Sequence, residues 1–120
     1  MTAEVWIENI IMIGQGVLFV LLALFYVKKP PAKINNLYGY RTRRSMKNQD
    51  VWKAANAYSS KSFLSIAILV LVIGIALCFF DFNLRVLLQL SILLLGLGYS
   101  VWQTEVYLNT HFDKDGNPKL

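Results

Sequence analysis

The sequence predicts an all-α integral membrane protein: a three-helix bundle with a cytoplasmic loop that contains a short amphipathic helix. Three observations predict it. Apolar runs at Val5 to Val27, Ser62 to Phe80 and Leu84 to Leu108 each reach or approach the length of a crossing helix. Such a helix needs about 20 residues for the roughly 30 Å hydrocarbon layer. The 120 residues are 56% hydrophobic and 16% charged, with a mean hydropathy of +0.47; a soluble domain carries about 25% charged residues. Lys28, Lys29, Lys33, Arg41, Arg43, Arg44, Lys47, Lys53 and Lys61 lie between the first two runs, against the single acid Asp50.

The first span covers about 5–27 and carries Glu4, Glu8 and Asn9 near its start, at interfacial depth. It is too long for the h-region of a cleaved signal peptide and has no basic n-region. The second, about 62–80, is free of charge. The third, about 86–107, has Arg85 at one end and Glu105 at the other, so its apolar centre is Val86 to Trp102. Three helices apolar around most of their circumference could not all be covered by a chain of this length, which argues against a soluble bundle. The length allows one domain, residues 1–120. The positive-inside rule puts the loop 28–61 and the tail Asn109–Leu120 in the cytoplasm, and the N-terminus and the turn Asp81-Phe82-Asn83 outside. The basic loop is thus expected against the inner leaflet of the membrane.

Pro30-Pro31 ends the first helix. Lys28 and Lys29 then fall at the level of anionic headgroups. Gly39, between Tyr38 and Tyr40, permits a tight turn. Ser45 or Asn48 can cap a helix, with Asp50 in its first turn. Val51, Trp52, Ala55, Tyr58 and Ser59 recur at three- and four-residue spacing. That pattern fits either a short helix in the headgroup plane or one running straight into the second span, with Trp52 and Tyr58 as interfacial anchors. The basic residues are tethered beside a bilayer, so membrane apposition explains them without direct nucleic-acid binding.

The polar patch carries a resemblance. Asn36, Tyr38-Gly39-Tyr40-Arg41-Thr42, Ser45, Asn48, Trp52 and Asn56, with the tail FDKDG from Phe112 to Gly116, resemble the SdpI family of small bacterial membrane proteins. The type member protects a cell against the secreted SDP peptide toxin. The resemblance implies a helical membrane domain with the motif at the cytoplasmic face, a role in toxin immunity, and signalling through a repressor held at the membrane. The chain is similar to the SdpI-like portion alone, without an additional membrane-spanning region preceding it.

Asn36, Tyr38, Gly39, Tyr40, Arg41, Thr42, Arg44, Ser45, Asn48, Trp52 and Asn56 are therefore the candidate residues of a polar cap that binds a peptide, lipid or partner protein. Glu105 joins them, because an acid at that depth is expensive unless paired. A structural ion pair with Arg41, Arg43 or Arg44 is the favoured account of it. A carboxylate facing water and a proton-relay role are the alternatives. No catalytic residue, metal site or cofactor is expected. His111 reads as a solvated tail histidine, Asp113 to Asn117 as a turn rather than a calcium loop, and Cys78 as a small buried hydrophobe. Gln15, Gln89 and Gln103, with Gly14, Gly16, Gly96 and Gly98, suggest polar contacts and close approach within the bundle. The expected partners are anionic lipids, a peptide toxin or a repressor protein, and an oligomer or larger complex. The alternative functions are an accessory subunit of a membrane complex and a small membrane enzyme acting on a lipid.

Overall fold

A computed structural model describes residues 2–119. It contains three helices, α1 Ala3–Lys28, α2 Gln49–Leu77 and α3 Arg85–His111. All three are long and apolar enough to cross a membrane. At 1.5 Å per residue, helices of 26, 29 and 27 residues are roughly 39–44 Å long, longer than the hydrocarbon layer, so their ends reach into the headgroups. The molecule measures 58 × 22 × 20 Å.

Helix α2 is the centre. It packs along both neighbours, while α1 and α3 scarcely touch. The outward faces are apolar, with Ile10 at 68% and Leu95 at 74% exposure. Water would not tolerate so continuous an apolar surface; lipid does. Small residues permit the close approach. A side chain at Gly16 would meet the Leu71 backbone at 2.7 Å, and one at Gly96 would meet Ile66 at 2.7 Å. Gly14 and Gly98 have open space around them, so only half of the expected glycine contacts form.

Of the two sequence expectations for the segment after Asn48, the structure takes the second. The amphipathic residues are the opening turns of α2 and run without a break into the span. The loop therefore shortens to residues 29–48. Asn48 caps the helix, its Oδ1 accepting from the Val51 N–H at 2.9 Å. Trp52 is fully buried and is not an interfacial anchor. The reason is local: the loop folds over the first turns of α2, so their apolar face meets protein instead of headgroups. Tyr58 stacks on Tyr107, ring centroids 4.4 Å apart.

The opposite end is held by a residue that sequence reading left at a span terminus. Arg85 is 1% exposed. Its Nε donates to Glu8 Oε2 at 2.8 Å, the one ion pair among the described residues. Nη1 donates to the Leu77 and Phe80 carbonyls at 3.2 and 2.9 Å, and Nη2 to the Val5 carbonyl at 3.2 Å. A cation thus closes the carbonyl end of α2, where the helix dipole favours positive charge, and ties all three helices together. One turn deeper, buried Gln89 donates to the Met12 and Val70 carbonyls at 2.9 and 3.2 Å.

Breaking a buried, hydrogen-bonded charge pair costs about 3–5 kcal/mol. Arg85→Met should lower stability in detergent by roughly 3 kcal/mol by this reasoning. Glu8→Gln should cost about 1 kcal/mol, because Glu8 is partly exposed and keeps a hydrogen-bonding oxygen. Thermal unfolding followed by circular dichroism measures both, and equal losses would contradict the assignment.

Candidate functional site: the polar cap

The loop 29–48, the first turns of α2, the last turns of α3 and the tail Phe112–Lys119 come together at one end of the bundle. A small core sits there, made of Tyr40, Val51, Ala55, Leu108 and Phe112.

Asn56 organises the cap. It is 1% exposed, and its Oδ1 accepts from the Tyr26 hydroxyl and the Tyr40 N–H, both at 2.6 Å. Its Nδ2 donates to the Trp52 carbonyl at 3.0 Å and the Tyr40 carbonyl at 3.5 Å. Both lone-pair positions and both donors of the carboxamide are engaged. Gly39 makes room for this: its φ is +108°, and a Cβ there would stand 2.6 Å from both Asn56 Oδ1 and Pro31 Cγ. No other residue fits that position without strain.

The loop is tied down on either side of Gly39. Asn35 Oδ1 accepts from the Leu37 and Tyr38 N–H groups at 2.9 and 2.7 Å, an Asx turn. The Tyr38 hydroxyl donates to the Lys29 carbonyl at 2.8 Å, and its ring packs edge-on against Tyr26. Trp52 Nε1 donates to the Pro31 carbonyl at 2.9 Å. Ser45, fully buried, accepts from the Thr42 N–H at 2.8 Å and donates to the Tyr40 carbonyl at 3.0 Å. It serves the loop rather than capping a helix. The tail is fixed by Asn48 Nδ2 donating to the Gly116 carbonyl at 2.9 Å. Arg44 Nη2 donates to the Phe112 and Asp113 carbonyls at 2.8 and 3.3 Å.

Glu105 corrects an expectation. Its Oε2 accepts from the Tyr40 hydroxyl at 2.8 Å and from Thr42 Oγ1 at 3.4 Å. No arginine pairs with it among the described residues. Arg41 instead donates to the Asn36 carbonyl, and Arg44 is committed to the tail carbonyls. The physical reason is the course of the loop: Asn56 holds the Tyr40 backbone inward, which sets its hydroxyl on the carboxylate, while the arginines are turned to backbone carbonyls. Burial, and secondarily the Glu105 carboxylate, push the Tyr40 phenol above its ordinary range.

The structure thus brings together Tyr38, Gly39, Tyr40, Thr42, Arg44, Ser45, Asn48, Trp52, Asn56 and Glu105. Asn36 and Arg41 stay exposed at the edge; Asn36 contributes its carbonyl, and its neighbour Asn35 makes the turn. Tyr26 and Pro31, both part of the cap, lay outside the expected set. His111 ends α3, exposed and against the Tyr107 ring at 4.3 Å. Asp113 Oδ1 accepts from the Asp115 and Asn117 N–H groups, each at 2.9 Å, forming a turn. These amides hold the Asp113 carboxyl below the usual range. Cys78 is partly buried, its thiol donating to the Gly74 carbonyl at 3.2 Å.

Between loop, α3 and tail lies a cleft of about 460 Å³, bordered by Arg43, Arg44, Lys47, Glu105, Asp113 and Lys114. Arg44 Nε is buried there without an acceptor among the described residues.

A family model described as the SdpI/YfhL protein family matches residues 31–103. A curated relative, Uncharacterized protein YfhL of Bacillus subtilis (strain 168), is 46% identical over 52 residues, covering 41% of this chain and 44% of that protein. The matched part is thus under half the length of that relative. No solved structure matches.

Asn56→Ala leaves Tyr40 and Tyr26 without their shared acceptor. It should destabilise the cap by about 2–4 kcal/mol, since buried polar groups lose their partners. Trypsin should then cut at Arg41, Arg43 and Arg44 at least tenfold faster than in the parent. An unchanged cleavage rate would show that Asn56 does not hold the loop. A pH test follows from Tyr40. Its folded form keeps the proton above the ordinary value of 10.0, whereas the unfolded chain loses it near there. The Tyr40 contribution is therefore complete below pH 10 and declines as pH rises further. Tyr40→Phe should flatten the alkaline loss of thermal stability measured between pH 9 and about 12.

Proposed function

The chain belongs to the SdpI/YfhL protein family, and from that premise we propose that it is a non-enzymatic immunity or signalling protein acting by binding at its polar cap, with the cap at the cytoplasmic face. The sidedness is supported by the distribution of charge. Nine of the basic residues fall on the segment from Lys28 to Lys61, and cytoplasmic loops carry such an excess.

The observation that carries the binding reading is a division of labour within the loop. Tyr40, Ser45, Asn48, Trp52 and Asn56 are spent inside the fold, on caps, turns and buried bonds. Arg43 and Lys47 stand exposed on the outside, beside the cleft. A fixed scaffold that presents charge is what recognition of a partner needs, because little ordering remains to be done on binding. The cleft lining holds no serine, cysteine or histidine. It offers charge and shape rather than a nucleophile with its base.

The test follows the resemblance to the immunity protein. Cells sensitive to the SDP peptide and expressing this chain should survive exposure at least tenfold better than cells with empty vector. Asn56→Ala, present in the membrane at equal amount, should lose that protection. Survival no better than empty vector would reject immunity. Sidedness is checked separately with Arg43→Cys in a Cys78→Ser background. A membrane-impermeant maleimide should label it only after the cells are opened.

A further inference from the structure

We propose that the cleft bordered by Arg43, Arg44, Lys47, Glu105, Asp113 and Lys114 binds the phosphate of an anionic membrane lipid headgroup. The inference deepens the binding reading above and rests on it.

The charges are unequal and unequally engaged. Four cations border the cleft against two acids. Both acids are already satisfied from within. Glu105 Oε2 takes the Tyr40 and Thr42 hydroxyls, and Asp113 Oδ1 takes the Asp115 and Asn117 amides. Four cations against two carboxylates leave the cleft with a net charge of +2, and no carboxylate is close enough to hold Arg43, Lys47 or Lys114 in an ion pair among the described residues.

Arg44 adds direction to that charge. Its Nη2 is fixed on the Phe112 and Asp113 carbonyls, and its Nε is buried without an acceptor. A buried guanidinium N–H without an acceptor is a costly arrangement. Arg44 lines the cleft, and a small turn of its guanidinium would bring this N–H to a ligand oxygen there. An arginine fork with lysine point charges is the residue set that suits a phosphate. The surroundings are held in place, because Asn48 joins the start of α2 to the tail at Gly116.

The level of the cleft selects a lipid over a soluble phosphate. Starting from Arg85, the roughly 20 residues that cross the hydrocarbon end near Glu105. The cleft thus opens at headgroup height. Trp102 and Val106, 60% and 43% exposed, stand on the lipid-facing side of the same turns of α3, where aromatic residues mark the interface and acyl chains would continue from a bound headgroup.

The experiment uses the full chain in mixed micelles, with bound phosphatidylglycerol and phosphatidylcholine counted by native mass spectrometry. Phosphatidylglycerol should be retained at least tenfold more than phosphatidylcholine. The triple variant Arg43→Gln, Lys47→Gln, Lys114→Gln should lose about a hundredfold in apparent affinity, at roughly fivefold per direct charge-assisted contact with the phosphate. All three residues are exposed, so the variant should keep the parent unfolding temperature; Lys114→Gln alone should lose about fivefold, one direct contact. The control triple Lys28→Gln, Lys33→Gln, Lys53→Gln removes equal charge outside the cleft and should lose less than tenfold. Equal losses in the two triples, or no preference for phosphatidylglycerol, would overturn the site. Displacement of the lipid by millimolar glycerol 3-phosphate would reassign it to a soluble phosphate and overturn the lipid source. Lipid retention and toxin survival are independent readouts. Loss of the first with protection intact refutes the headgroup site alone, and the converse refutes immunity alone.

Discussion

One carboxamide holds the cap together. Asn56 lies buried where α1, α2 and the loop meet, and each of its four hydrogen-bonding positions is taken. A half-satisfied amide at that depth would destabilise the fold, whereas a fully satisfied one fixes a single arrangement. From it follow the left-handed turn at Gly39, the inward course of Tyr40, and the contact of Tyr40 with Glu105. Loosening any one of these would release the others, because each positions the next.

The two ends of the bundle solve the same problem differently. Within lipid, apolar faces gain little by meeting one another, so helix association depends on close packing and polar links. At one end Arg85 draws carbonyls and a carboxylate from α1, α2 and its own neighbourhood into one cluster. At the other, the polar links run mostly through backbone and neutral side chains, with Glu105 and Arg44 each held by uncharged partners rather than by an ion pair. Between them Gln89 and the close approaches at Gly16 and Gly96 hold the middle. The weak contact between α1 and α3 makes α2 the spine to which both are fastened.

Much of this was legible in the sequence, for physical reasons that also explain the rest. The three helices follow from apolar length, and Pro30-Pro31 marks the end of α1 one residue past its cap. The candidate residues from Tyr38 to Asn56 converge largely because they lie on one loop and the helix it folds over. Trp52 as an anchor was misread because amphipathicity shows that a face is buried without showing what buries it. The partner of Glu105 was misread because charge is visible in a sequence and the register that brings a tyrosine hydroxyl forward is not. Arg85 gave a weak signal: a cation at a span end ordinarily reads as topogenic, and only the fold reveals three carbonyls around it.

The manner in which Glu105 is satisfied has a consequence for charge. An arginine closing over that carboxylate would have cancelled a cation of the loop and turned its guanidinium inward. Neutral hydroxyls from Tyr40 and Thr42 satisfy the same oxygen without consuming positive charge. The asparagine, serine and tyrosine chemistry of the loop therefore does most of the folding; Arg44 joins it by tying down the tail, and Arg43 and Lys47 are left to face outward. Density of polar residue types in this short stretch is explained by that separation: neutral groups, with Arg44 and Glu105, build the scaffold, and the remaining charge stays on its surface, where it meets whatever lies at the membrane face.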